Sequence, residues 1–272
     1  MADDWTTRIN TGVPNPARIY DYFLGGKDNF PADREVADQV LAIAPVARDV
    51  VEDNRAFLRR VVRHLAGEAG VRQFMDLGSG LPTQGNVHEI AQEVAPDARV
   101  LYVDNDAMVV THSRALLAGD NTVAIQADLR EPEAIVGHPE VRELIDFEQP
   151  IALLLMAILH FIPDDEDPYG IVARFRDAMA AGSYLAVSHG TRDIPVRPDM
   201  SPAAMTEMGA KVERLYQLTT SSLVTRTRAQ VERFFDGFDL VEPGLVEIQL
   251  WRPDDSDPLL PGGFYGGVGR RR

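Results

Sequence analysis

Five short runs rich in Val, Leu and Ile, separated by segments of helix length, constrain this chain more than any other feature. The runs are "VRQFMDLG", "ARVLYVDND", "TVAIQADL", "PIALLLMAILHF" and "GSYLAVSHG", and the segments between them include Asn86 to Ala95, Ala107 to Ala118 and Tyr169 to Ala181. Near-continuous apolar runs mark strands buried on both faces, and strands alternating with helices make a parallel sheet wound on either side. Right-handed crossovers then bring the C-terminal strand ends to one edge, where ligands bind in open sheets. A chain of 272 residues with 45% hydrophobic content can fill one such α/β core. Two more strand candidates, "FDLVEPGLVEIQLW" and "GFYGGVG", close the chain. They predict a doubly wound sheet of seven mostly parallel strands, one of them reversed.

Before the first strand the period is helical. Asn15 and Pro16 offer a cap and a first helical position for "ARIYDYFLGG", and the Gly25-Gly26 pair favours a left-handed end. A second helix is expected from Pro31 and a third from about Pro45 to Ala66, with Val46, Val50, Phe57, Val61 and Leu65 on one face. Residues 1–70 therefore read as a helical N-terminal extension and 71–272 as the sheet domain, with a helical insertion near 191–225. Ser201-Pro202 opens a helix toward Gln217 in that insertion, and Thr227 with Gln230 makes a capping-box start just after it.

Composition removes whole classes of function. The formal net charge of -15 opposes binding to a phosphate backbone or an anionic membrane surface, which needs a clustered cationic face. The terminal "GRRR" reads as a solvated end. With no cysteine there is no disulfide, thiol catalysis or Cys-based zinc site, and the six histidines form no H-x-x-x-H pair, so no metal is assigned. No run approaches the ~18 apolar residues of a membrane span, and "MADDWTTRIN" lacks the layout of a secretory signal. A soluble, cytoplasmic protein is expected.

The chemistry concentrates at "FMDLGSGLPTQG". Gly78 and Gly80 let the backbone approach a ligand, and the following helix is expected to point its positive end there. In a dinucleotide enzyme that place holds a pyrophosphate. Asp76 opposes this, because a carboxylate beside two phosphates repels them by on the order of a few kcal/mol at an effective dielectric of about 20. An ammonium or a sulfonium is welcome instead. Thr83 stands where a third glycine is usual. At the end of the second strand, "YVDND" places Asp104 to accept from both ribose hydroxyls, with Asn105 beside it in the binding set. In "QADL", Asp128 is placed to accept from an exocyclic adenine amine while the backbone amide of Leu129 donates to the ring. Three strand ends thus describe an adenosine with a cationic tail.

In order and spacing, "DLGSG", "YVDND" and "QADL" resemble the first three motifs of class I S-adenosylmethionine-dependent methyltransferases, whose fold is Rossmann-like. The resemblance implies that Asp76, Gly78 and Gly80 line the methionine side, that Asp104 holds the ribose, and that Asp128 and Leu129 meet the adenine. It also puts the carbonyl region around Met156, at the end of the fourth strand, against the methionine amine. "RIYDYFLGGKDNFPADRE", "DLGSGLPT", "NVHEIAQ", "YVDND" and "FYGGVGR" together are similar to a largely uncharacterised actinobacterial family of S-adenosyl methyltransferases, over nearly the whole chain. That likeness implies the fold and the donor S-adenosylmethionine, but no acceptor.

His160, just past the fourth strand, is the candidate catalytic base for a hydroxyl as the methyl transfers, set against a packed histidine bonded to backbone. His189 in "SHGT" is a weaker candidate of the same kind. The absence of an N-P-P-Y type of sequence after the fourth strand weighs against nucleobase or amide nitrogen as acceptor. "YDYFLGGKDNF" reads either as packing or as a lid over the cofactor edge, with Tyr20 and Tyr22 as aromatic cover and Lys27 and Asn29 as donors to a carboxylate. The expectation is a methyltransferase for a small-molecule hydroxyl or amine, working mainly by positioning its two reactants. Its rivals are an NAD-dependent oxidoreductase and a non-catalytic sensor that binds the same donor.

Overall fold

The computed structural model describes residues 10–82, 85–116, 119, 121–191, 193, 201–254 and 263–272. Three helices lead: α1 (Pro16–Phe23), α2 (Pro31–Ile43) and α3 (Ala47–Gly67). Strands and helices then alternate through β1 (Gln73–Leu77), α4 (Val87–Val94), β2 (Arg99–Asp104), α5 (Ala107–Leu116), β3 (Thr122–Gln126), α6 (Pro132–Val136), α7 (Pro139–Leu144), β4 (Ala152–Met156), α8 (Pro168–Ala178) and β5 (Tyr184–Gly190). The rest comprises α9 (Pro202–Tyr216), α10 (Arg228–Glu232), β6 (Phe238–Leu240), β7 (Val246–Glu247) and β8 (Phe264–Arg271).

Local sequence explains where helices begin. Asn15 accepts from the Ala17 amide ahead of Pro16, Ser201 accepts from Ala204 ahead of Pro202, and Thr227 and Gln230 form the expected reciprocal box. Gly25, at φ +75°, ends α1 as its type permits. Two short helices between β3 and β4 were not anticipated; each starts at a proline, Pro132 or Pro139, in its first turn.

The sheet order is β3-β2-β1-β4-β5-β8-β6, with β7 also paired to β8. Strands β1 to β5 are parallel, and β8 runs antiparallel to β5, β6 and β7. β8 is therefore the one reversed strand. Eight strands fill seven positions, because β6 and β7 occupy successive stretches of one edge along β8. The expected single strand over "FDLVEPGLVEIQLW" is broken by the Pro243-Gly244 turn, where Gly244 has φ +89°.

Period-two alternation sends side chains to two cores. Met75, Leu77, Leu101, Val103, Leu153, Leu155, Leu185 and Val187 face one side, with Ile171, Phe175 and Phe234. Phe74, Val100, Tyr102, Ala152, Leu154 and Ala186 face the other, where Phe57, Val61 and Leu65 of α3 pack. So α3 packs on the sheet through these residues, while α1 and α2 meet Val51 of α3 and Tyr216 of α9 in a third cluster. The direction of the crossovers changes between β1 and β4, and this order opens a crevice beyond Leu77 and Met156. Among the described residues, no helix is long and apolar enough to cross a membrane.

Candidate functional site

The chain leaves β1 through a turn built for close approach. Gly78 and Gly80 have φ of +70° and +64°, and a Cβ on Gly78 would lie 2.4 Å from Ile158 Cγ1. A Cβ on Gly80 would meet nothing within 4 Å, and Gly80 lines a cavity. The Gly78 and Ser79 amides donate to the Val103 carbonyl at 2.8 and 3.2 Å, which ties the turn to β2. α4 begins only at Val87, and the side chain of Glu89 accepts from the Asn86 amide at 2.7 Å, so the chain's own carboxylate serves this helix end. Thr83 lies outside the described residues.

That cavity, of about 620 Å³, is lined by Asp76, Gly78, Gly80, Asp104, Asn105, Asp128, Leu129, Met156 and His160 together. Asp76 is buried, and among the described residues no group donates a hydrogen bond to its carboxylate. Burial pushes its pKa up to about 7; the Arg55 guanidinium pulls down and Asp104 pushes up. Asp104 is fixed by the turn it serves: Oδ2 accepts from the Gly80 amide at 3.0 Å and Oδ1 from the Asp106 amide at 2.9 Å. Since a carboxylate offers about four lone-pair sites, each oxygen keeps one for a hydroxyl. Burial raises its pKa to about 6, against the pull of those two amides.

Asn105 is exposed, and its carbonyl accepts from Gln126 at 3.1 Å. Asp128 is half-buried and already accepts from Arg130, at 2.9 Å from the backbone amide and 3.2 and 3.3 Å from the guanidinium, which Glu166 holds from the other side. Among the described residues the Leu129 amide has no protein acceptor. Beyond Met156, the Ala157 amide is held by the Ser188 carbonyl and hydroxyl, at 3.1 and 2.9 Å.

α1 roofs this edge. The Asn15 side-chain Nδ2 donates to Asp106 Oδ2 at 2.9 Å, and the Thr220 backbone amide donates to the Pro14 carbonyl at 3.0 Å. Tyr20 lines the cavity; its hydroxyl donates to the Val51 carbonyl at 3.1 Å and accepts from Asn54 at 3.0 Å, and Asn54 in turn accepts from Ser188 at 2.6 Å. The structure does not bring Tyr22, Lys27 or Asn29 to the cavity wall. Tyr22 donates to Asp38, Lys27 is exposed, and the Asn29 amide donates to Asp21 at 2.8 Å and to the Gly26 carbonyl at 3.1 Å. The donors expected for a ligand carboxylate instead fold their own loop.

His160 reaches the cavity, but its hydrogen bonding reverses the expected chemistry. The Gly190 amide donates to Nδ1 at 3.2 Å, so the neutral ring carries its proton on Nε2. Burial holds its pKa well below the ordinary value, with His189 and Arg226 adding to the effect. A ring held this way has no free lone pair to abstract a proton and presents a donor instead. His189 is buried in a separate network: its Nδ1–H donates to the Gly190 carbonyl at 2.6 Å and its Nε2 accepts from Arg226 at 2.9 Å. Arg226 is itself fully buried on Leu159, Ile162 and Asp164.

An unpartnered buried carboxylate, an aspartate with spare acceptors on both oxygens, and a free backbone amide fit the methionyl, ribose and adenine parts of S-adenosylmethionine in that order. The model for S-adenosyl methyltransferases matches residues 2–272. The chain belongs to the S-adenosyl methyltransferase family. It is an S-adenosylmethionine-dependent methyltransferase, as the motifs at three strand tips implied. The crystal structure of a DUF574 family protein from Streptomyces avermitilis is 41% identical, covers 96% of this chain and 99% of its own, and superposes with a TM-score of 0.89. A protein from Thermobifida fusca assigned as a methyltransferase is 46% identical over 96% of each chain, with a TM-score of 0.85. A SAM-dependent methyltransferase from Anabaena variabilis, 16% identical over 97% of this chain and 98% of its own at a TM-score of 0.53, shares the fold. A search of curated proteins finds no match.

Sequence reasoning gave no role to Asn54, Arg55, Arg130 or Arg18, which all line the cavity: the first three lie outside every quoted motif, and Arg18 opens the "RIYDYFLGGKDNFPADRE" string without being singled out there.

Proposed function

We propose that this methyltransferase acts on a hydroxyl or amine of a small molecule held beneath α1. The observation that carries the reading is the buried Asp76 carboxylate, which lines the cavity without a protein donor and answers to a positively charged methionyl group. When bound, S-adenosylmethionine supplies an electrophilic methyl, which the acceptor's lone pair takes as the sulfonium becomes a neutral thioether. The protein's part is to hold and to enclose. Asp104 orients the ribose, Gly78 and Gly80 let the backbone come close, and Asp128 and Leu129 meet the adenine. Arg130 shares Asp128 with that ring, so the adenine amine competes with a guanidinium there.

The roof formed by α1 and its bonds to Asp106, Val51 and Thr220 favours a small acceptor and a poorly hydrated site, in which a charge-dispersing transfer is helped. With His160 as a donor, the acceptor's proton leaves to water after the new bond forms. His160 then contributes by orienting a polar atom of the acceptor. Calorimetry with S-adenosylhomocysteine tests the donor site: binding abolished in Asp104→Ala supports the assignment, and undisturbed binding in that variant refutes it.

A further inference from the structure

The cavity continues past the strand tips into a chamber between α1, α2, α3 and α9, and its walls differ sharply from those of the donor end. Phe23, Val40, Val50, Val212, Tyr216 and Leu223 line it. Phe161 packs against Tyr216 with ring centroids 5.7 Å apart. Three arginines line the whole cavity: two are ion-paired to acids, and the third, Arg55, donates to the Gly85 carbonyl at 2.8 Å. Arg18 is 2.8 Å from Asp33, Arg130 is 3.2 Å from Asp128, and Arg55 acts on Asp76. No lysine lines it among the described residues. Asp21, which also lines the cavity, accepts from the Asp28 amide at 3.0 Å and from Asn29 at 2.8 Å within its own loop.

Neutral polar groups line the cavity too, among them Asn54, Thr220 and Ser221, and two bear on a ligand in the chamber. One is the His160 Nε2–H, whose state is set by the Gly190 amide on the opposite nitrogen. The other is the Tyr216 hydroxyl, which has no hydrogen-bond partner among the described residues. Burial, with Tyr20 nearby, holds that hydroxyl in its protonated form. An anion entering here would exchange water for apolar walls without gaining a free cation, and a cation would find only Asp21, whose carboxylate is already engaged by its own loop. An apolar molecule gains its burial, and one neutral polar group on it can reach His160 or Tyr216.

We infer that the methyl acceptor is an uncharged, largely apolar small molecule, bound in this chamber with a polar atom on the His160 and Tyr216 side. The inference rests on the donor reading of Asp76 and Asp104, and the two can fail separately. The experiment uses the full chain loaded with S-adenosylhomocysteine and three probes of one ring system: 2-naphthol, 2-naphthyl phosphate and 2-naphthylmethylammonium. Ligand-observed NMR ranks their affinities at pH 7. The expected result is 2-naphthol bound at least about tenfold more tightly than either charged probe. In Val212→Glu, 2-naphthol should weaken by about tenfold or more while S-adenosylhomocysteine affinity and the unfolding midpoint stay unchanged. Equal or tighter binding of a charged probe to the wild-type protein overturns the inference and leaves the donor site standing. Failure of S-adenosylhomocysteine to bind at all overturns the donor reading, and the inference falls with it.

Discussion

Donor affinity should depend on pH through Asp76. Its pKa in the free protein is raised to about 7 by burial, with Arg55 opposing and Asp104 assisting. If only the ionised carboxylate accepts the methionyl ammonium, about nine-tenths of the protein is competent at pH 8 and about one-tenth at pH 6, and apparent affinity scales with that fraction. The dissociation constant of S-adenosylhomocysteine should therefore rise about tenfold between pH 8 and pH 6, or about 1.4 kcal/mol. Asp104, raised to about 6, adds a further factor of about two at the acid end. The ligand's ammonium and carboxylate do not change charge over this range. Titration calorimetry in two buffers of different ionisation enthalpy reads both the affinity and the protons released, at pH 6 about 0.9 from Asp76 and about 0.5 from Asp104 per ligand. Asp76→Asn should bind weakly and lose most of the slope. Equal affinity at the two pH values, or a slope preserved in Asp76→Asn, refutes the reasoning.

Other expectations are open to direct measurement. The same raised pKa values mean that the ligand-free protein holds these protons more tightly folded than unfolded, so their stabilising effect is complete below about pH 3.8 and is lost as the pH rises through about 6 to 7. The unfolding midpoint of the free protein should then fall between pH 5.5 and pH 8, less so in Asp76→Asn; an equal fall in both would count against the buried-carboxylate account. Gly78→Ala places a Cβ 2.4 Å from Ile158 at a positive φ and should destabilise by about 1–3 kcal/mol in denaturant titration; an unchanged midpoint would show that the turn is not constrained as described. For His160, nitrogen NMR should show the proton on Nε2 and no titration near pH 6.5, whereas an Nδ1–H tautomer or an ordinary titration would restore it as a base. Arg226→Met strands the Leu159 and Ile162 carbonyls and His189 Nε2, each costing about 1–3 kcal/mol, and should lower the unfolding midpoint steeply.

Much of this was legible in the chain because the governing physics is local. Strand runs buried on both faces, proline first turns and the caps at Asn15, Ser201 and Thr227 are set by neighbours a few residues away. Asp76, Asp104 and Asp128 share one cavity because a parallel sheet places successive strand ends on one edge. What escaped depended on distant partners. The tautomer of His160 is decided by Gly190, and the polar chain beneath Tyr20 runs from α3 to Ser188 on β5. Asn29 looks like a ligand donor in sequence, yet Asp21 takes its amide. The break of the last edge into β6 and β7 reflects one turn at Gly244, where composition alone reads as a continuous strand.

A crystal structure of the chain with S-adenosylhomocysteine tests the central claim most directly. The account predicts the ligand's ammonium within hydrogen-bonding reach of the Asp76 carboxylate and its ribose hydroxyls on Asp104. A ligand seated elsewhere, or one whose carboxylate rather than ammonium faces Asp76, would contradict it.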